Sequence, residues 1–242
     1  MLSKIKKAIK QNEFLYLIYD KVFSQIYRYY CKRKIRRKFR KYSMELLQSF
    51  DAVMNQNNYN YFLIFGTLLG AIREKGFIAH DLDIDVGMWA EEYSPDIRTK
   101  LEEQGFKLAH SITVDGGAFG REETYTYKGL HIDIFFFYPY DSKKSYCCDF
   151  VGHENKNSWH ESIKTYGGVL PRQVILPLQK SLSETDFHGL GLKIPENYDE
   201  VLRFRYGNDY MIPNPQWSWV SSSRQNVVER KDKLGIVYEQ DD

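Results

Sequence analysis

The chain is poor in the residues that specialised architectures require. Its 242 residues include only three cysteines, Cys31 and the adjacent pair Cys147 and Cys148, which do not make the even, spaced framework of a secreted disulfide protein. A reducing, cytoplasmic compartment is therefore expected. Proline and glycine number 7 and 16, and there is no low-complexity tract or internal period, which argues against collagen-like, disordered and solenoid architectures. Long apolar runs are missing too. The longest early one, Phe14 to Tyr19, is stopped by Asp20, far short of the roughly 20 residues that span a bilayer. It is tyrosine-rich and no small-residue cleavage site follows, so neither a transmembrane helix nor a secretory leader is expected.

What the chain does have is 43% hydrophobic and 16% aromatic residues, enough for one sizeable core. The net charge of +2 conceals an uneven distribution. Residues 1–41 carry 14 Lys and Arg against Glu13 and Asp20, a net of +12, which leaves about −10 on the rest. In this stretch Ile5, Ala8, Ile9, Leu15, Ile18, Val22, Ile26 and Tyr29 recur at spacings near three and four, the pattern of a basic amphipathic helical arm. The expected division is an extension over 1–42 and a catalytic body over 43–242. Two roles fit the arm. It lies on an anionic membrane surface, making the protein peripheral on the inner face of the cytoplasmic membrane, or it packs its apolar stripe on the body. The cluster CKRKIRRKFRK at 31–41 suits phosphates generally, but nucleic acid is not the expected partner.

Along the body, Ser43 reads as an N-cap for a helix presenting Met44, Leu47, Phe50 and Met54 on one face. YFLIF at 61–65 reads as a strand broken by Gly66 and Thr67, with a short helix over 68–75 and a strand over 81–87. Ser94, Pro95 and Asp96 open a helix that Gly105 closes. Strands are expected at 106–114, about 123–128 and 131–138. A less regular stretch containing His153, Trp159 and His160 follows, then a hairpin at 186–194 and a helix over NYDEVLRFRYG. Helices and strands mix without strict alternation, which predicts an α+β fold with a mixed or antiparallel sheet.

The chemistry concentrates in DLDIDVG. Strand alternation puts Asp81, Asp83 and Asp85 on one face and Leu82, Ile84 and Val86 on the other. HIDIF repeats the device around Asp133. Alone, the triplet also fits a solvated strand face. If the two strands are neighbours, the carboxylates crowd and must hold protons or a cation, and hard oxygen ligands suit Mg²⁺ or Mn²⁺. The strand–Gly66-Thr67–helix turn just before offers N–H groups for phosphate, with Arg73 and Lys75 close by. Metal-binding acids beside phosphate donors imply phosphoryl-transfer chemistry.

These residues resemble a known family. GTLLGAIREKGFIAHDLDIDVGMW at 66–89 is similar to the signature of the LicD family of phosphocholine transferases, whose relatives include fukutin and fukutin-related ribitol-phosphate transferases. HIDIF at 131–135 and YGNDYMIPNP at 206–215 match later family elements in the same order, so the resemblance covers about 43–217. It implies a nucleotidyltransferase-like core, a CDP-activated donor such as CDP-choline, and a hydroxyl acceptor on a lipopolysaccharide, capsule or teichoic-acid type of glycan, free or lipid-linked. Carried over by position, Asp83 and Asp85 are metal ligands and Asp133 is the third acid. Asp81 assists, and Gly66, Thr67 and Arg73 fall on the donor phosphates. In the implied mechanism, Asp133 orients and deprotonates the acceptor hydroxyl, which attacks the distal phosphorus as the nucleoside monophosphate leaves. Three positions depart from the pattern: His80 for the usual Trp, Ala79 for Pro, and Leu82 for the middle Asp. Leu82 is expected on the apolar side, away from the acids.

Other features read as structural. The spacing of Cys147, Cys148, His153 and His160 matches no common zinc pattern. Trp159, Trp217 and Trp219 are expected in the core, and Arg172 and Lys180 on the surface. The alternatives to a glycan-directed phosphotransferase are a nucleotidyltransferase acting on a small molecule or RNA, and a non-catalytic membrane-surface binding protein.

Overall fold

The first 44 described residues form one helix, α1 (Glu13–Gln56), about 66 Å long at 1.5 Å per residue. The structure, a computed structural model, describes residues 13–155, 158–214 and 226–239. Ser43 does not cap a new helix. It is buried inside α1, because neither glycine nor proline interrupts this segment and the core-facing stripe runs on from Ile35 and Phe39 to Leu46, Leu47 and Phe50. Phe39 meets the Phe77 ring edge-on at 5.0 Å, so the last turns of the basic segment pack on the body. The apolar positions of the arm before Glu13 lie outside the described residues, as do Trp217 and Trp219.

The strand expected at 61–65 is only two residues long, β1 (Phe62–Leu63), because the chain turns at once into helix α2 (Phe65–Arg73). Gly66 and Thr67 therefore sit in the first turn of α2 rather than ahead of it. Phe65 makes the turn with φ of +48°, a left-handed conformation that is strained for a phenylalanine. Next come β2 (Asp83–Trp89), α3 (Asp96–Glu103), β3 (Lys107–Val114), β4 (Gly120–Tyr127) and β5 (Leu130–Pro139). These agree with the sequence reading to within a few residues, and Ser94 Oγ accepts the N–H of Asp96 at the start of α3.

The stretch read as irregular is ordered: β6 (Ser145–Val151), α4 (Trp159–Tyr166) and β7 (Leu170–Leu176). Ser158 caps α4 in a reciprocal box with Glu161. Cys147 and Cys148 are packed into the core from β6, and the His153 ring stacks on Tyr166 at 4.3 Å. A separate hairpin, β8 (Leu182–Phe187) with β9 (Leu190–Pro195), precedes α5 (Tyr198–Tyr206), and two short strands, β10 (Val227–Glu229) and β11 (Ile236–Glu239), complete the described chain.

The result is an α+β fold with a mixed sheet. In hydrogen-bonded order the main sheet runs β10-β7-β6-β5-β4-β3-β11, with β2 paired to β5 and β1 to β2. All of these pairings are antiparallel except one: β2 and β5 run parallel. β5 is the spine, bonded to β4 and β2 along its length and to β6 at its end. Ile84, Val86, Ile132, Ile134 and Phe136 are fully buried beneath it. That parallel pair positions the site.

Candidate active site

Because β2 and β5 are parallel and in register, Asp83 lies beside His131 and Asp85 beside Asp133. Neighbouring strands are about 4.8 Å apart, so the last two carboxyls project side by side from one face of the sheet. On the other face, Ile84 and Val86 pair with Ile132 and Ile134 in the core, which fixes the register. Asp83, Asp85 and Asp133 line one cavity of about 390 Å³. Alternation starts only at Asp83. Asp81 precedes the strand and folds back to accept the Ile78 N–H at 3.0 Å, and Leu82 is half-buried just ahead of β2.

Three contacts hold the acids in place. The Gly66 N–H in the first turn of α2 donates to Asp85 Oδ2 at 3.2 Å. Thr67 is buried, and its hydroxyl accepts the Asp85 N–H at 2.9 Å, stitching the helix start to β2. Thr124 on β4 donates its hydroxyl to Asp133 Oδ1 at 2.5 Å. The α2 start thus meets the acids directly, as the anion-receiving end of a helix should.

Burial pushes every one of these carboxyls upward, and repulsion from neighbouring acids adds to it at Asp81, Asp85 and Asp133. Asp85 is raised well above the usual range by desolvation and then by the charges of Asp83, Asp133 and Asp81, against the Gly66 N–H. Asp133 is pushed up to about 7, mainly by burial, with Thr124 opposing. Asp81 also reaches about 7, again mainly by burial, while the Ile78 N–H pulls it back. Asp83 is raised by partial desolvation, opposed by His131. Such groups hold protons until a cation replaces them.

The donor set is therefore chemically suited to a hard divalent ion. Among the described residues, no three of these side chains stand as a closed ligand cluster. The set fits an ion held by one or two carboxylates whose other ligands come from water and a substrate phosphate, the usual habit of Mg²⁺.

Sequence reasoning missed several residues of this cavity. Glu122 on β4 is a further acid, raised well above its usual range by burial and by Asp133, Asp149 and Asp85. Arg172, expected on the surface, is buried on β7 and grips Asp149 with two bonds of 2.8 and 2.7 Å. Arg205 in α5 lines the cavity, as does half-buried Trp159. The only signal for Glu122 was the Glu122-Glu123 pair, whose members must face opposite sides of a strand. Lys180 is exposed and pairs with Glu91, as a surface charge does.

Arg73 stands apart from this cavity. It pairs with Glu74 at 2.9 Å and reaches the Tyr210 carbonyl, lining a second hollow of about 550 Å³ with Arg36, His80 and Asp81. Gly66 and Tyr206 border both hollows, so the acids sit between two recesses.

Adjoining carboxylates on parallel strands, facing a helix start and flanked by two recesses, define a candidate enzyme site of the carboxylate class. The comparisons with known proteins give this class its family. The family model described as LicD/FKTN/FKRP, nucleotidyltransferase domain, matches residues 58–197, and the chain belongs to that family. Mouse ribitol-5-phosphate transferase FKTN is 27% identical over 190 residues, covering 76% of this chain and 36% of the mouse protein. Human ribitol 5-phosphate transferase FKRP is 26% identical over 172 residues, covering 68% of this chain and 31% of the human one. The chain thus spans about a third of the length of these relatives.

Proposed function

We propose that the chain is a metal-dependent phosphotransferase that moves a phospho-alcohol, phosphocholine or ribitol phosphate in type, from a CDP-activated donor to a glycan hydroxyl. The observation that carries this reading is the pairing of Asp85 with Asp133 in parallel register beside the Gly66 N–H. Membership of the family, and the ribitol-phosphate transferase names of two relatives, support the class of group transferred.

In this reading one or two carboxylates of the set Asp83, Asp85 and Asp133, Asp83 and Asp85 foremost, would hold Mg²⁺ or Mn²⁺, which when bound supplies charge neutralisation for the donor diphosphate. The protein's own groups do the rest. Asp133, oriented by the Thr124 hydroxyl beside Asp85, is placed to take the proton of the acceptor hydroxyl. The oxygen so freed attacks the distal phosphorus, the bond from that phosphorus to the bridging oxygen breaks, and CMP leaves with the electron pair. The proton passes from Asp133 to solvent. Thr124 orients Asp133, and Thr67 with Gly66 orients Asp85. Gly66, Arg73 and Asp81 line the hollow on the donor side, and buried Thr67 supports Gly66 and Asp85 from behind.

Among the described residues no helix is long and apolar enough to cross a membrane. The exposed basic face of α1, including Arg33, Lys34, Arg37 and Arg40, is proposed to rest on an anionic membrane surface that presents a lipid-linked acceptor.

The leaving group tests the reaction class. Incubation with CDP-choline and CDP-ribitol in Mg²⁺, read by mass spectrometry, is expected to release CMP and add a phospho-alcohol to the acceptor. Pyrophosphate released from CTP instead would make the chain a nucleotidyltransferase.

A further inference from the structure

The acid cavity holds two guanidinium groups in very different states. Arg172 is matched by Asp149 through a two-point bridge. Arg205, in the last turn of α5, is not matched in this way. Its Nε and one terminal nitrogen, Nη1, are shut off from solvent, and among the described residues neither has a hydrogen-bond acceptor. The guanidinium lies 5.4 Å from the centroid of the Phe65 ring, a cation–π contact that holds its plane without using its N–H groups.

Buried cationic donors without acceptors are costly to a fold, and they call for a partner that the protein itself does not supply. The phosphate-binding candidates expected from the sequence are already engaged. The Thr67 hydroxyl accepts from the Asp85 backbone, the Gly66 N–H is given to Asp85, and Arg73 bonds Glu74 and the Tyr210 carbonyl. Phe65, the strained residue at the α2 start, carries both the helix turn that meets Asp85 and the ring under Arg205.

We propose that Arg205 is the phosphate anchor of this site, receiving the diphosphate of the activated donor on its planar guanidinium in the cavity that the acids also line. The inference rests on the phosphotransferase reading and deepens it by naming the group that meets the donor's phosphates. A diphosphate suits the place because it can be shared between a carboxylate-held cation on one side and a guanidinium on the other. A simple carboxylate ligand would meet Asp85, Asp133 and Glu122 with no second charge to bridge to them. The fork geometry matters as well: lysine keeps the charge but cannot donate two parallel bonds.

The test is calorimetric titration of the full chain with inorganic pyrophosphate in excess Mg²⁺, comparing the wild type with R205Q, R205K and R73Q. R205Q is expected to lose about 10- to 100-fold in affinity, R205K to lose less, and R73Q to lose less than R205Q. The ligand-free variants are expected to melt within a few degrees of the wild type, since no protein contact of the Nε or Nη1 donors is broken. Wild-type affinity in R205Q overturns the proposal, as does a larger loss in R73Q. A large fall in the melting temperature of charge-retaining R205K would make Arg205 a structural group and also overturn it. Pyrophosphate binding that needs Arg205, without turnover of any CDP-activated donor, would leave the anchor standing and remove the phosphotransferase reading. Turnover with unchanged binding by R205Q would do the reverse.

Discussion

Asp85 and Asp133 sit at the same level on adjacent parallel strands, the one parallel pairing in an otherwise antiparallel main sheet among the described residues. In an antiparallel neighbour the two chains run in opposite senses. Here β2 and β5 present Asp83-Ile-Asp85 and His131-Ile-Asp133 in the same sense, acids on one face and isoleucines on the other. The core packing of Ile84 and Ile132 therefore fixes where the carboxyls stand.

Crowded acids make ligand-free stability depend on pH in a definite direction. Asp81 and Asp133 titrate at about 7 in the folded chain and near 3.9 when unfolded. Between those values the folded state binds more protons than the unfolded one, so these groups favour folding at low pH and lose that effect as pH rises to about 7. Thermal melts in chelator are expected to show a lower midpoint at pH 8 than at pH 5, with Mg²⁺ raising the pH 8 value. An unchanged midpoint across this range would contradict the burial assigned to the acids.

The two glycines of GTLLG should respond oppositely to alanine. A methyl at Gly66 would lie 3.4 Å from Asp85 Oδ2, an ordinary contact, while alanine favours the helix by up to about 1 kcal/mol. At Gly70 it would come within 2.4 Å of the Gly76 carbonyl oxygen. G66A is expected to fold as well as the wild type but lose activity, and G70A to be destabilised by about 1–3 kcal/mol. Denaturant unfolding paired with turnover assays checks both.

The Arg172–Asp149 pair should behave as a buried bridge, its side chains being 11% and 23% exposed. D149A removes the carboxylate that meets the buried Arg172 guanidinium at two points and is expected to cost about 3 kcal/mol. Replacing both partners by apolar residues should recover much of that loss. A double variant no more stable than D149A would mean that the bridge does not act as a pair.

The last turns of the basic segment are expected to matter for stability. F39A removes a buried ring from the Phe39–Phe77 contact and should cost about 3–5 kcal/mol. A chain beginning at residue 43 should melt well below the full chain for the same reason. Equal melting temperatures would show that the helix before Ser43 only decorates the body.

Much of this was legible in the sequence. The alternating segments at β3, β4 and β5, the Ser94 start of α3 and the alternation of Asp83 and Asp85 each follow a local rule that tertiary packing did not override, whereas Asp81, read onto the same strand face, lies ahead of β2 and turns back to the Ile78 N–H. The family signature in 66–89 supplied the class of chemistry. β7 was invisible for a physical reason. Both its faces are buried, so it has no period-two alternation, and Pro171, Arg172 and Gln173 make it read as a loop. The continuity of α1 was hidden by its change from basic to apolar composition, which helix geometry ignores. Glu122, Asp149 and Arg205 belong to the cavity only because β4, β6 and α5 converge there, and no local pattern reports convergence.

The central claim is that acids from two strands act together, and turnover of a CDP-activated donor by D85N and D133N tests it most directly. Mass spectrometry of the products, with and without Mg²⁺, is expected to show metal-dependent CMP release by the wild type. Both variants should fall at least about 100-fold while remaining folded. Wild-type rates in D133N, or full turnover in chelator, would contradict the account.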